Sequence, residues 1–308
     1  MTYPRAHLLD PNGGTYHLTS RCVRRSYLCG INPDNGYNFD HRRQWIEDRI
    51  HLLSKIFAVD LLGYAVMSNH YHLILTIDPA RVSSWNDETV LEKWHSLFPK
   101  QQNSRASTLK NEPQSIEFDT HQMATLRERL GSLSWFMRCL NEPIARLANK
   151  EDECKGRFWE GRFKSQLILD EVSLLACMVY VDLNPMRADI ATRVSDAHHT
   201  SAKKRALETN VDAYLVSFNR PEVLVGCGYS LREYLSLLEW TLEAQQSIRP
   251  TRAYPTTLQK KTGILGGKAW LLQLPQPGKW QRALGSRQAL RAYAKSIGQS
   301  WIKTSARK

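Results

Sequence analysis

The chain of 308 residues has an ordinary apolar fraction of 42%, which suits one large or two medium-sized globular domains with a sizeable core. Its six cysteines are scattered without a CxxC pair, which argues against a zinc ribbon or a small disulfide framework and favours a reduced, cytoplasmic setting. No apolar run approaches the roughly 18 residues of a membrane span, and the first 14 residues lack the apolar segment of a secretory signal, so we expect no membrane partner.

The positive charge is concentrated at one end of the chain. The net charge is +12, from 42 Lys and Arg against 30 Asp and Glu. No acidic residue follows Glu243, and the remaining 65 residues carry 13 Lys and Arg, so the first 243 residues hold 29 basic and 30 acidic side chains. This asymmetry predicts an arm that meets nucleic acid or another anionic surface. A solvated basic tail is the alternative.

The first part of the chain predicts strands around one helix. A strand is predicted over residues 14–22, after the turn "DPNGG". Asp40 predicts a helix N-cap, because apolar residues follow it at helical spacing. Two strand-like runs, residues 60–67 and 70–77, are separated by only two residues, which predicts a tight hairpin.

The next part predicts an insertion followed by helices and one strand. Residues 80–119 are polar and uneven, and we interpret them as an insertion that contains one helix over residues 87–98. A helical pattern covers residues 120–150, with a break predicted near Pro143. Residues 157–169 alternate well enough for a strand, alone or after a loop.

The last part predicts further helices and a domain boundary. Asp170 is predicted to cap a helix over residues 171–184, which Pro185 ends. Helices are also predicted over residues 231–247 and 287–300. The order β-α-β-β-α-β-α predicts an α+β fold, with a ferredoxin-like antiparallel sheet, helices on one face and a mostly helical, basic C-terminal extension. A boundary near residue 195 divides the chain into residues 1–195 and 196–308.

Two histidines, His70 and His72, stand two apart in the apolar run "YAVMSNHYHLILT". Side chains on a strand alternate between faces, so both imidazoles point to one side and could reach one ion, while Tyr71 points to the other. An isolated H-x-H is more often a pair of hydrogen-bonded structural histidines, and two ligands leave a metal site incomplete. The pair by itself therefore leaves both interpretations open.

A later helix offers a third ligand and a nucleophile. Tyr180 and Asn184 are four apart, hence on one helix face. The side-chain oxygen of Asn184 is a hard ligand that suits Mg²⁺ or Mn²⁺ beside imidazole. A phenol has a pKa of about 10, so Tyr180 needs a nearby cation and basic residues to act as a nucleophile. The alternative is a half-buried aromatic residue on an amphipathic helix.

Three motifs in order, "MSNHYHLIL", "GRFWEGRFKS" and "YVDLNPMRADI", together resemble the HUH-type single-tyrosine transposases, most closely the REP-associated tyrosine transposases. The resemblance covers about residues 15–190. It implies that His70, His72 and Asn184 are metal ligands for Mg²⁺ or Mn²⁺ and that Tyr180 is the nucleophile. Residues 1–195 would then be the catalytic HUH domain, and residues 196–308 a DNA-binding extension.

The resemblance also implies a reaction and a setting. Tyr180 would attack a phosphodiester of single-stranded or hairpin DNA, forming a 5′-phosphotyrosine and a free 3′-hydroxyl that later rejoins strands. The setting would be the bacterial cytoplasm, in association with the nucleoid, and the protein would act as a monomer or a homodimer. Relatives often read "RYIHLNP" where this chain has "VYVDLNP", so Val179 stands for an Arg and Asp182 for a His. Neither position is a proposed ligand.

Basic and aromatic side chains that could form a track for single-stranded DNA cluster in two segments. They are Arg157, Trp159, Arg162 and Lys164 in the second motif, and Arg21, Arg24 and Arg25 after the first strand. An ordinary strand with a solvated basic face is the alternative. The family's palindromic substrates suggest that the basic arm grips a DNA stem, unless its aromatic residues form the core of a small helical domain.

Two other functions remain open from the sequence. One is a DNA-binding protein on the same fold that has lost cleavage. The other is a metallohydrolase built on H-x-H, but metallo-β-lactamase-type sites continue as H-x-H-x-D-H, and here the continuation is "LILT".

Overall fold

The computed structural model describes residues 9–23, 28–31, 36–97, 119–207, 215, 229–247, 250–276 and 280–302. Its strands are β1 Gly14–Arg21, β2 Val59–Val66, β3 His70–Ile77, β4 Lys164–Ile168 and β5 Ala283–Leu284. They form one sheet in the order β2-β3-β1-β4-β5. All pairs are antiparallel except β4 with β5. The α+β class and the antiparallel sheet are as predicted.

The helices of the described residues surround this sheet. They are α1 His41–Ile56, α2 Asp87–Leu97, α3 Thr120–Leu130, α4 Leu133–Glu151, α5 Glu171–Asp182, α6 Asn184–Arg187, α7 Ser201–Leu207, α8 Leu231–Gln246, α9 Thr256–Thr262, α10 Gly267–Leu271 and α11 Arg287–Ser296. None of them is long and apolar enough to cross a membrane. Strand β3 lies between β1 and β2, which α1 connects, so the predicted split β-α-β is present.

The prediction of helices on one face of the sheet is wrong, because helices cover both faces. Helices α1 and α4 pack on one side with Tyr71 and Leu73. Helices α5 and α8 pack on the other side with Ala65 and Ile74. Since β2 and β3 carry buried apolar side chains on both faces, each face needs a helical layer to cover it.

The predicted hairpin is confirmed. Val66 pairs with Tyr71, and Met67 N–H donates to His70 O at 2.8 Å. Ser68 and Asn69 therefore form the turn. This tight connection places both histidines of the H-x-H motif at the start of β3.

The predicted helix break near Pro143 is wrong. The helical segment is interrupted at Gly131 and Ser132, between α3 and α4, and Pro143 lies inside α4. Proline lacks the N–H that would bond to the carbonyl four residues earlier, which is Cys139 O. The side chain of Arg49 donates to that oxygen at 3.0 Å instead, so the helix continues.

Residues beyond 195 pack against the sheet. Val66 N–H donates to His199 O at 3.0 Å, and Thr200 forms a bridge with Ala65, so this segment covers the exposed edge of β2. Strand β5 extends the other edge, and α8 contacts α5. The division of the chain near residue 195 stays a prediction. The helix predicted over residues 87–98 is present as α2, and residues 98–118 of the predicted insertion lie outside the described residues.

Candidate active site

A cleft of about 550 Å³ opens beside the H-x-H motif, where the amino end of β3 and the ends of β1, β4 and α5 meet. Its polar and ionisable lining comprises His17, Thr19, Arg21, His70, His72, Glu160, Arg162, Lys164, Gln166, Tyr180, Asn184, Arg187 and Gln276. Four of these side chains are Arg or Lys and one is Glu. The cleft therefore suits an anionic ligand such as a phosphodiester.

Within the described residues, both histidines of the motif have one ring nitrogen that makes no hydrogen bond. Asn69 Oδ1 accepts from His70 Nδ1 at 2.6 Å, and His72 Nδ1 lies 2.8 Å from His17 Nε2. The His70 and His72 ring centroids are 4.9 Å apart. Burial lowers the pKa of His70 to about 4 and that of His72 well below its usual value. Both rings are therefore neutral at pH 7, the form in which imidazole binds a metal.

Tyr180 lies against these rings, near the end of α5. Its ring centroid is 5.8 Å from that of His72, and the residue is 9% exposed. Asn184 Nδ2 donates to Tyr180 O at 3.2 Å. Burial raises the pKa of the Tyr180 phenol, although the charge of Arg187 and the hydrogen bond with Asn184 act to lower it. The phenol therefore needs further positive charge before it ionises near pH 7.

Arg187, at the end of α6, supplies a positive charge beside the phenol. Its guanidinium carbon is 4.5 Å from the Tyr180 ring centroid. Nη1 donates to Tyr180 O at 3.3 Å and Nε donates to Gln245 Oε1 at 3.2 Å. Nη2 is buried and has no partner among the described residues. Burial lowers the Arg187 pKa to about 10, so the group stays charged at pH 7 and can receive an anionic oxygen.

The donor set fits a hard divalent cation that keeps other oxygen ligands. No group of three or more His, Cys, Asp or Glu side chains in the described residues could hold a metal ion. His70 and His72 therefore need ligands of another type. His72 Nε2 is buried and has no partner in the described part of the chain. Asn184 Nδ2 donates a hydrogen bond to the backbone oxygen of Tyr180. The side-chain oxygen Oδ1 of Asn184 is therefore the atom that could face a cation. Mg²⁺ and Mn²⁺ accept such sets completed by water and phosphate.

The predicted DNA-contacting residues are divided by the structure. Arg21, Arg162 and Lys164 are exposed and line the cleft. Arg157 is exposed but is not part of the cleft lining. Trp159 packs edge-on against Tyr71, and its indole N–H donates to a backbone oxygen at 2.9 Å. This ring therefore belongs to the core on the far face of the sheet.

Two predicted contacts cannot be placed. Arg24 and Arg25 lie outside the described residues. The strand predicted over residues 157–169 begins only at Lys164. The two Gly-Arg-Phe triplets of the second motif, residues 156–158 and 161–163, therefore precede the strand, and Phe158 is buried in the core at 3% exposed.

The structure also brings in side chains that the motifs did not single out. His17 and Gln166 lie beneath the cleft on β1 and β4, and Trp280 lies 5.2 Å from the His17 ring, centroid to centroid. His17 could have been noticed, since it alternates with Tyr16 and Leu18 and so points away from their core. Trp280 carries no comparable local signal. Its place depends on the chain returning to the sheet at β5.

Comparisons with known proteins add little to this geometry. No protein-family model matches the chain, and no curated protein matches it. A solved structure described as a REP-associated tyrosine transposase bound to a REP hairpin is similar over 67% of this chain and 87% of that chain. The identity is 14% and the TM-score is 0.40.

Proposed function

We propose that this protein cuts and rejoins DNA strands by transesterification, with Tyr180 as the nucleophile. The observation that supports this function is the convergence of one tyrosine, two neutral imidazoles and an arginine in a single basic cleft. A cleft with four basic side chains attracts a phosphodiester. The pair of imidazoles with an amide oxygen suits a divalent cation.

In the proposed reaction the Tyr180 oxygen attacks phosphorus, and the bond from phosphorus to the 3′-oxygen breaks. The phenolic proton passes to solvent as the new bond forms, and the leaving 3′-oxygen takes a proton from solvent. A 5′-phosphotyrosine and a free 3′-hydroxyl result. A second 3′-hydroxyl can then attack the same phosphorus and release Tyr180, so that the bond energy is conserved and no nucleotide hydrolysis is needed.

The residues of the cleft divide the work. Arg187 sits where it can neutralise charge on the attacked phosphate and favour the phenolate. Arg21, Arg162 and Lys164 hold the flanking backbone. His70, His72 and Asn184 would hold Mg²⁺ or Mn²⁺, which would polarise the phosphate oxygens. Positioning the strand in line with Tyr180 supplies much of the remaining rate gain.

The test is a covalent adduct with DNA. Labelled hairpin-forming single strands, taken from palindromic sequence found beside the gene, are incubated with protein and Mg²⁺ or Mn²⁺, then separated under denaturing conditions. We expect a denaturation-resistant adduct in the wild type and none in Tyr180→Phe, with DNA binding retained. Tyr254→Phe, in the C-terminal part and away from the cleft, is the matched control. An adduct that persists in Tyr180→Phe would exclude Tyr180 as the nucleophile.

A DNA-binding protein without cleavage is the second candidate function. The raised pKa of the buried Tyr180 phenol favours it, because a neutral phenol is a much weaker nucleophile than a phenolate. Stable binding of the same strands by the wild type, without any adduct in Mg²⁺ or Mn²⁺, would establish this alternative. We infer also that DNA is the partner in both cases, and that the protein acts in the cytoplasm.

A further inference from the structure

A chain of three buried polar side chains crosses the sheet beneath the cleft. Gln166 Oε1 lies 2.9 Å from His17 Nδ1, and His17 Nε2 lies 2.8 Å from His72 Nδ1. Gln166 on β4 pairs directly with His17 on β1. His72 on β3 is the diagonal neighbour of His17, which pairs with Ile74. Three strands therefore each contribute one member.

The Gln166 amide determines which ring nitrogens of His17 and His72 carry a proton in this hydrogen-bonded series. A carbonyl oxygen only accepts, so His17 Nδ1 carries a proton and donates it to Gln166 Oε1. His17 Nε2 of the neutral ring then accepts, and His72 Nδ1 carries the proton that it receives. His72 Nε2 is left with a lone pair. This nitrogen is the buried atom that has no partner in the described residues.

The three hydrogen-bonded side chains are almost completely buried. His17, Gln166 and His72 are 1%, 2% and 5% exposed. Buried polar groups destabilise a fold unless each finds a partner, and here the partners are satisfied in sequence except at the last nitrogen. His72, which carries that last nitrogen, is one of the residues that line the cleft. An unsatisfied acceptor in that position indicates a ligand that is an electron-pair acceptor.

We propose that His17 is a positioning residue which, oriented by Gln166, holds His72 with its Nε2 lone pair directed at a divalent cation in the cleft. This role rests on the metal site of the proposed function. A histidine ligand commonly donates its other ring N–H to an acceptor, which fixes the tautomer and the ring orientation. The acceptor here is a second histidine rather than a carboxylate, so the hydrogen-bonded side chains add no negative charge beneath the site.

The first test measures Mn²⁺ affinity by titration calorimetry on the full-length protein without DNA. His17→Leu removes the acceptor, and we expect a Kd about 10 to 100 times weaker. His17→Gln places an amide oxygen near the former Nε2 position, and we expect it to recover most of the affinity. His51→Leu, which removes a histidine of α1 that contacts Tyr64 outside the cleft, should leave the Kd unchanged.

The second test reads the tautomer of His72 directly by two-bond ¹H–¹⁵N correlation, assigned with His72→Gln. We expect a protonated Nδ1 and an unprotonated Nε2 in the wild type without metal, and a mixture of tautomers in His17→Leu. If His17→Leu does not fold, Gln166→Leu removes only the distal acceptor and carries the same expectations in weaker form.

The outcomes separate this inference from the proposed function. A folded His17→Leu with wild-type Mn²⁺ affinity, or a wild-type His72 protonated on Nε2, would overturn the role of His17. A wild type that binds no Mn²⁺ would instead overturn the metal site of the proposed function, and the tautomer measurement would still decide whether His17 orients His72.

Discussion

At the scale of single residues, the positive charge beside Tyr180, the proposed nucleophile, comes from a different residue than the sequence motif suggests. Val179, at the position where the resemblance of the motif suggests an arginine, is fully buried in the core. Arg187, seven residues after Tyr180 and on the next short helix, lies over the phenol ring instead. Its Nη2 has no partner in the described residues, so it can bind a phosphate oxygen without breaking another contact.

We therefore predict that Arg187→Gln slows adduct formation by about 100-fold, the usual loss when one donor to the reacting group is removed. The rate would be measured by single-turnover cleavage of a labelled strand at saturating protein. The rate of Arg187→Lys should lie between those of the wild type and Arg187→Gln, since lysine keeps the positive charge but lacks the paired N–H donors of the guanidinium. Arg232→Gln, an exposed arginine of α8, is the control. An unchanged rate in Arg187→Gln would contradict this role.

At the scale of elements, the helix that carries Tyr180 is held from both sides. Helix α5 is buried along almost its whole length, because it lies between β2 and β3 of the sheet and α8. Its last residue, Asp182, points away from the cleft and accepts from Ser201 Oγ at 2.6 Å and from Tyr234 Oη at 2.6 Å. Helices α7 and α8 are thus tied to the end of α5, which keeps Tyr180 in place.

We predict that Tyr234→Phe lowers the free energy of unfolding by about 1–3 kcal/mol, because it leaves a buried carboxylate oxygen of Asp182 without a donor. Thermal or urea unfolding would measure the change. Tyr37→Phe, at an exposed tyrosine, should have little effect. The rate of adduct formation per folded molecule should fall less than in Arg187→Gln, since Tyr234 is not part of the cleft. A Tyr234→Phe protein as stable as the wild type would show that the link between α8 and α5 is unimportant.

At the scale of the whole molecule, the basic C-terminal part is built into the fold as well as charged. Trp270 is fully buried, and β5 joins the sheet. Trp280 reaches the cleft. Deleting residues 244–308 would therefore remove buried core residues and part of the cleft lining, so the DNA-binding role of the charge is better tested by neutralisation. Helix α11 carries Arg287, Arg291 and Lys295 at intervals of four, all exposed.

We predict that changing these three residues of α11 to Gln weakens hairpin binding and lowers the magnitude of the slope of log K against log salt by about 1 to 2. Each phosphate contact contributes about 0.7–0.9 to that slope. Fluorescence anisotropy over a range of salt concentrations would measure it. Neutralising Arg146, Lys150 and Lys155, also exposed, controls for the loss of net charge alone. Equal slopes for the two triple variants would show that α11 makes no specific contact.

Much of the local structure could be predicted from the sequence, because it depends on neighbours along the chain. The hairpin at Ser68 and Asn69 follows from two apolar runs with a two-residue gap. The continuation of α4 through Pro143 could not be predicted, because the carbonyl that proline leaves unpaired is satisfied by Arg49 from another helix. Likewise, the helical layers on both faces of the sheet could not be predicted, because they depend on which helices pack against each side of β2 and β3.

The same division applies to the candidate site. His70, His72, Tyr180 and Asn184 were candidates from the sequence alone, since strand and helix periodicity are local properties. Their meeting with Arg187 and with the buried pair His17 and Gln166 was decided only by the tertiary structure. Pairing of β1 with both β3 and β4 joins residues that lie 55 and 149 positions apart. No local pattern encodes such pairing, because it depends on which edges and faces the whole chain buries together.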